Sequence, residues 1–211
     1  MREEIERRVR ALTNSGDYDG AVRAALGGFG AEIYGFIVAV LHNEDHAADV
    51  FSIVSESLWR GLPTFAWSST FRTWAYTIAR NATIRFRADV RKNERGAAPI
   101  GEFASQLAAE LQTRTRTFMK TENKDHLARI RESLPADERL LLVLRLDREL
   151  SWTELAEVMR DGDVEGVPLD PETRKREAAR LRKRFQLVKE KLIALGRQEG
   201  LLPPAPASNK S

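Results

Sequence analysis

Apolar residues in this chain recur at intervals of three and four. Ile33, Phe36, Ile37, Val40 and Leu41 follow the i, i+3, i+4, i+7, i+8 rule of a single helix face. Phe51, Val54 and Leu58 repeat it, with Asp49 near the start of that helix, and Phe71, Trp74, Ala75, Ile78 and Ala82 form a third stripe. Strict apolar–polar alternation, the mark of a half-buried strand, is absent. The stripes predict a compact helical bundle closing near Arg95, with residues 3–13 able to add a short helix.

Gly96 to Pro99 breaks any helix, and 105–119 is rich in Gln, Thr and Arg with weak periodicity, so 96–122 reads as a linker. A second helical unit follows over 123–200. Leu127, Ile130 and Leu134 lead to Pro135, and Leu140, Leu141, Val143, Leu144 and Leu146 form the next helix. Ser151 with Glu154 predicts a capping box and a helix from Trp152 to Met159. After breaks at Gly162, Gly166 and Pro168, Asp170–Pro171 has the cap-then-proline form of a helix start. Ala178, Leu181, Phe185, Val188, Leu192 and Leu195 then line one side of a long helix. The tail, 201–211, carries Pro203, Pro204 and Pro206 and reads as frayed. The expected fold is all-α, with two small helical domains, 1–95 and 123–200, on either side of the linker.

Composition narrows the classes of function. With 42% hydrophobic and 31% charged residues in 211, the chain can bury a core and is not expected to be disordered. No apolar run is expected to approach the roughly 18–20 residues of a membrane span. The charged opening from Met1 to Arg10 argues against a secretory signal. Cysteine is absent, which excludes disulfides, thiolate zinc sites, iron–sulfur clusters and cysteine nucleophiles, and fits a cytoplasmic setting.

The net charge of +3 hides a pattern: residues 71–95 carry +5 and 174–197 carry +8, whereas 1–70 carry −4 and 96–173 carry −6. Two basic blocks behind acidic segments point to two contacts with a polyanion, the acidic surfaces keeping off it. From Ser151 to Leu192 the order is bracing helix, connection, basic helix, which is helix-turn-helix logic. The connection, 160–169, is longer than the usual three or four residues. In 65–87 the aromatics Phe65, Trp67, Phe71, Trp74 and Tyr76 interleave with Ser68, Ser69, Arg72, Arg80, Asn81, Arg85 and Arg87. Such a mixture suits single-stranded nucleic acid, because unstacked bases take π-faces and phosphates take cations. The spacing of Phe71 and Trp74 marks them as core, while Trp67 lies in a Ser-rich break.

Two stretches resemble region 2 of bacterial sigma factors, the promoter-specificity subunits of RNA polymerase: HAADVFSIVSESLWRGLPTF and SSTFRTWAYTIARNATIRFR. Two more, LPADERLLLVLRLDRELSWTELAEVM and AARLRKRFQLVKEKL, resemble region 4. The presence of these two regions alone resembles the extracytoplasmic-function (ECF) class. The resemblance implies a non-enzymatic factor without cofactor or metal that binds core RNA polymerase, recognises −10 and −35 promoter elements and promotes melting. It implies polymerase binding by Asp49, Val50, Ser52, Ile53 and Glu56; Ser52 and Ile53 stand where the family usually has Gln-Glu. It implies −10 contacts by Trp67, Ser68, Ser69, Arg80, Asn81, Arg85 and Arg87. The −35 contacts fall to Arg180, Arg182, Lys183, Arg184 and Gln186. Partners would be core polymerase, promoter DNA and an anti-sigma protein, with no membrane and no small-molecule substrate.

Three other readings compete. A helix-turn-helix regulator of duplex DNA would explain 125–197 but leave 65–87 idle. An adaptor that binds only protein partners is a further reading, and a pull-down of core RNA polymerase separates them. A metalloenzyme would need more than His42 and His46, because Asn43 follows the first His where the zinc-protease motif has Glu.

Overall fold

The computed structural model describes residues 1–91, 133–160 and 167–203. The expected linker, 96–122, and the apolar positions Leu127 and Ile130 lie outside the described residues, as do the breaks at Gly162 and Gly166 and the end of the tail. Among the described residues there is no strand. Four helices make the first unit: α1 (Arg2–Asn14), α2 (Tyr18–Leu41), α3 (Glu44–Gly61) and α4 (Phe71–Arg91). A short 3-10 turn, Leu62–Thr64, follows α3. The second unit holds α5 (Ala136–Leu142), which widens into a π turn over Val143–Asp147, then α6 (Trp152–Val158) and α7 (Pro171–Gln198).

Helix α2 is the axis of the first unit and packs against α1, α3 and α4. Ile33, Phe36, Ile37 and Tyr34 are fully buried, and Phe36 meets Tyr76 of α4 edge to face at 5.5 Å. The N-terminal half of α2 buries Val22, Leu26 and Phe29 together with Ala21 and Ala25. Its backbone passes so close to α1 at Gly28 that a Cβ there would lie 2.6 Å from Ile5. This helix also corrects an expectation. By length and mean hydropathy, 1.7 over its most apolar window, α2 could span a membrane, although no such run was expected. Its apolar residues are instead spent on the protein core: twelve of them, from Ala21 to Val40, are buried among neighbouring helices.

Asp17 caps α2 through the Gly20 N–H at 2.8 Å, and Asn43 caps α3 through the His46 N–H at 2.9 Å. His42 closes α2 in the left-handed conformation, so His42 and His46 belong to different helices.

Leu140 to Leu144 are all buried, five consecutive residues on α5 and its π turn. A helix apolar all round must be covered all round, and α2 and α7 flank this one. Leu146, expected in the same stripe, is 49% exposed because the π turn carries it outward. The two units therefore share a continuous apolar core. Gly35 of α2 gives room to the Arg148 guanidinium, 2.9 Å from where a Cβ would stand.

Candidate nucleic-acid and polymerase interface

Three surfaces carry the candidate residues. The first is α3. Ala47, Val50, Phe51, Val54 and Leu58 turn inward, which leaves Asp49, Ile53, Glu56 and Arg60 as one outward stripe at spacings of three and four. Of the five polymerase-binding candidates, Asp49, Ile53 and Glu56 lie on that stripe. The other two are corrected by helix geometry. Val50 is fully buried, and Ser52 is buried with its hydroxyl donating to the Ala48 carbonyl at 3.0 Å. Sequence reasoning missed two neighbours: Arg60 pairs with Glu56 at 2.6 Å, and Trp59 is half-exposed, its indole N–H donating to Asp19 at 2.7 Å. An aromatic at an outward helical position was the signal for Trp59.

The second surface is the loop 65–70 with α4. The start of α4 is held in two ways. Thr70 Oγ1 accepts the Thr73 N–H at 3.1 Å, and the Glu6 carboxylate of α1 accepts the Phe71 and Arg72 N–H groups at 2.9 Å each. Arg72 is buried and bound to Glu32 at 2.6 Å, with its guanidinium also donating to the Arg148 carbonyl at 2.6 Å. Burial works against that charge, but the Glu32 hydrogen bond and nearby negative groups outweigh it, so Arg72 is held above its ordinary range. Burial likewise pushes the Tyr76 phenol up, with Glu32 adding to it, so the ring beneath Arg72 is neutral. Arg72 is thus a structural cation.

The structure does not bring all the −10 candidates to one open face. Ser68 is exposed and Ser69 half-buried, both at a small cavity with Phe65, Trp74 and Thr77. Trp67 takes a left-handed φ of 55°, uncommon for an aromatic, and its ring packs against Phe65 at 4.9 Å with Arg10 over it at 5.3 Å. Arg80 and Asn81 are only 8% and 6% exposed. The Asn81 carbonyl oxygen accepts from Arg80 at 3.2 Å, and its amide nitrogen is buried without a hydrogen-bond partner. Arg85 is exposed and donates to the Asn81 backbone carbonyl at 3.4 Å, and Arg87 is half-exposed.

The third surface is α7. Asp170 accepts the Thr173 N–H at 2.9 Å, and that bond, together with the Thr173 hydroxyl, holds its carboxyl below the usual range. Glu157 of α6 pins the far end of the long connection by accepting the Leu169 N–H at 3.2 Å and the Arg174 guanidinium at 2.7 Å. With Ala178, Leu181, Phe185 and Val188 buried, helix geometry sorts the basic residues. Lys183 and Gln186 project outward, and Arg180 is exposed beside Glu177 at 3.1 Å. Arg182 lies over the Trp152 ring at 5.5 Å and Arg184 faces Asp137 at 3.8 Å, so both flank the packed side. Lys175 and Arg176, exposed in the first turns, were missed. The recognised helix start at Asp170–Pro171 was the signal, because N-terminal residues of a reading helix reach base edges first.

Comparison with known proteins agrees with this geometry. Residues 29–95, from the middle of α2 to just beyond α4, match the family described as Sigma-70 region 2. The RNA polymerase sigma-H factor of Pseudomonas aeruginosa is 28% identical over 134 residues, covering 61% of this chain and 69% of that protein. The helical bundle that exposes the α3 stripe and carries the basic α4 is the matched part, and over that part the chain is similar to the bacterial RNA polymerase sigma factors.

Proposed function

We propose that this chain is a sigma factor of the ECF class, in which 1–95 engages core polymerase and the −10 element and 123–200 reads the −35 element. The observation that carries the reading is the outward stripe Asp49–Ile53–Glu56 on the matched domain, set apart from both basic helices. Its mixed apolar and acidic character suits docking on a protein, and it keeps phosphate away by charge. The 65–70 loop and α4 hold the unpaired −10 strand, with Asn81 able both to donate to and to accept from a base edge. The first turns of α7 enter the duplex major groove at −35.

The factor catalyses nothing itself, works in the cytoplasm, and is held in check by an anti-sigma protein. A duplex-only regulator would leave the region 2 match without a purpose. The test is transcription by purified core polymerase on a promoter library, with and without this chain. Enrichment of a two-element promoter only when the chain is present supports the reading. Specific duplex binding that core polymerase neither needs nor uses for transcription would replace it.

A further inference from the structure

Helix α1 lies ahead of the matched residues 29–95 and carries none of the DNA contacts considered so far. The net −4 of residues 1–70 hides an uneven split along this helix. Glu3, Glu4 and Glu6 all precede position 7, and residues 7–14 hold three arginines and no acidic residue. Val9 is fully buried, with Ile5 and Leu12 packed against the core beside it, so α1 is seated by that side. The Glu6 carboxylate is occupied by the Phe71 and Arg72 N–H groups at 2.9 Å each, which sets the flank of α1 that borders the 65–70 loop. Arg10 follows Glu6 by one turn on that flank, and its guanidinium lies over the Trp67 ring at 5.3 Å. Arg7 and Asn14, both exposed, stand three and four residues from Arg10 and extend the flank outward. Arg8 is exposed as well, but two residues turn a helix by about 200°, so it occupies the opposite flank from Arg10.

We propose that this flank of α1, through Arg7, Arg10 and Asn14, holds the phosphate backbone of the single strand whose bases meet the 65–70 loop, a placement that rests on the −10 reading of 65–87. Trp67 is the link between the two. Its left-handed φ of 55° is held from outside, by Phe65 at 4.9 Å and by Arg10. Lying over the Trp67 ring, the Arg10 guanidinium keeps its N–H groups uncommitted: among the described residues no carboxylate or carbonyl accepts them. Such an edge matches two phosphate oxygens at once. A strand that offers bases to an aromatic loop carries its phosphates alongside, and π-faces bordered by cations are what unpaired strands bind. From Arg7 to Asn14 the flank runs about 10 Å, room for at least two phosphates. Contacts of this kind position the strand and carry no sequence, so α1 adds affinity without choosing the promoter.

The test is binding of core polymerase carrying this chain to two fluorescent single-stranded oligonucleotides of equal length, measured from about 50 to about 200 mM salt. One spans the −10 element of a selected promoter, and the other has that element scrambled. Each phosphate contact on a single strand contributes about 0.7 to the slope of log affinity against log salt. Arg7→Gln should lower the slope by about 0.7, and Arg7→Gln with Arg10→Gln by about 1.4. A four-fold rise in salt then costs the double variant about seven-fold less affinity than it costs wild type. Both oligonucleotides should be affected alike, because the contact is to phosphate. Arg8→Gln removes the same charge from the other flank and should leave the slope unchanged.

Arg7 is exposed and outside the core, so Arg7→Gln probes the flank without disturbing Trp67. An Arg10 needed only to hold Trp67 would weaken the −10 oligonucleotide in the double variant with the slope unchanged. That outcome, or an equal fall in slope with Arg8→Gln, would overturn the α1 contact. Failure of the −10 reading looks different: the wild-type complex would bind the two oligonucleotides equally, and Asn81→Ala would weaken neither, whatever the slopes.

Discussion

Replacing Glu6 with alanine removes the carboxylate that accepts the Phe71 and Arg72 N–H groups, each at 2.9 Å. Those N–H groups belong to the first turn of α4 and have no partner inside the helix. A hydrogen bond to a charged group contributes about 1.5–3 kcal/mol net, and a neutral one about 1 kcal/mol. Glu6 is half-exposed, so the lower figure per bond applies and the pair is worth about 2 kcal/mol, part of it from charge at the helix N-terminus. Alanine returns a few tenths of a kcal/mol in propensity within α1. Thr70 still caps α4, so the helix loosens at its start without unravelling.

Urea unfolding followed by circular dichroism should show Glu6→Ala less stable by about 2 kcal/mol, and Glu6→Gln by about half that. Amide exchange at Phe71 and Arg72 should rise by roughly 30-fold while α7 amides hold their protection. A stability change under about 0.5 kcal/mol, with exchange at those two amides unchanged, would show that the contact does not fix α4.

Other surfaces give equally separable outcomes. Ile53→Arg with Glu56→Arg should weaken core polymerase binding by at least about ten-fold in a fluorescence titration, whereas Ser52→Ala should stay within about two-fold because that side chain faces inward. Lys183→Ala and Arg176→Ala should each lower duplex promoter affinity, and a phosphate contact would show as a salt slope reduced by about 1 while a base contact relaxes preference at one position. Arg182→Ala should cost about 0.5–1 kcal/mol of stability through the Trp152 contact, as measured by urea unfolding. Glu32→Gln, which leaves the buried Arg72 with a neutral partner, should destabilise the chain by about 2–3 kcal/mol, below the full cost of a broken buried pair because Glu32 is partly solvated.

How far the sequence could be read depended on the range of the interaction. The Ser151–Glu154 box and the Asp170–Pro171 start were legible because cap and partner lie three residues apart on the same segment. The apolar stripe of α3 was legible because that helix buries one face, and that of α4 because its large apolar residues keep helical spacing although Arg72, Thr73, Arg80, Asn81 and Thr83 between them are buried as well. Helix α2 was only half legible: α1, α3, α4 and α5 all pack on it, and its first half mixes buried Val22, Leu26 and Phe29 with Ala and Gly, so no stripe stands out there.

At the site, family register placed Val50 and Ser52 on the docking helix, but only helical rotation says that they turn inward. Glu6 and Arg72 are separated by 66 positions, and nothing local in either segment announces their bond. The burial of Arg80 and Asn81 was equally unreadable. It depends on α6 and a connection roughly eighty residues downstream, whose pairing is tertiary.

The most direct measurement of the central claim is permanganate reactivity of promoter thymines in complexes of core polymerase with this chain. Core with wild-type chain should expose unpaired thymines across the −10 element of a linear promoter. Core with Asn81→Ala should form complexes of similar affinity in which those thymines stay protected, and a template pre-melted across the element should restore transcription. Thymines equally reactive with wild type and Asn81→Ala would contradict a base-holding role for α4. Thymines unreactive even with wild-type chain would contradict promoter opening itself.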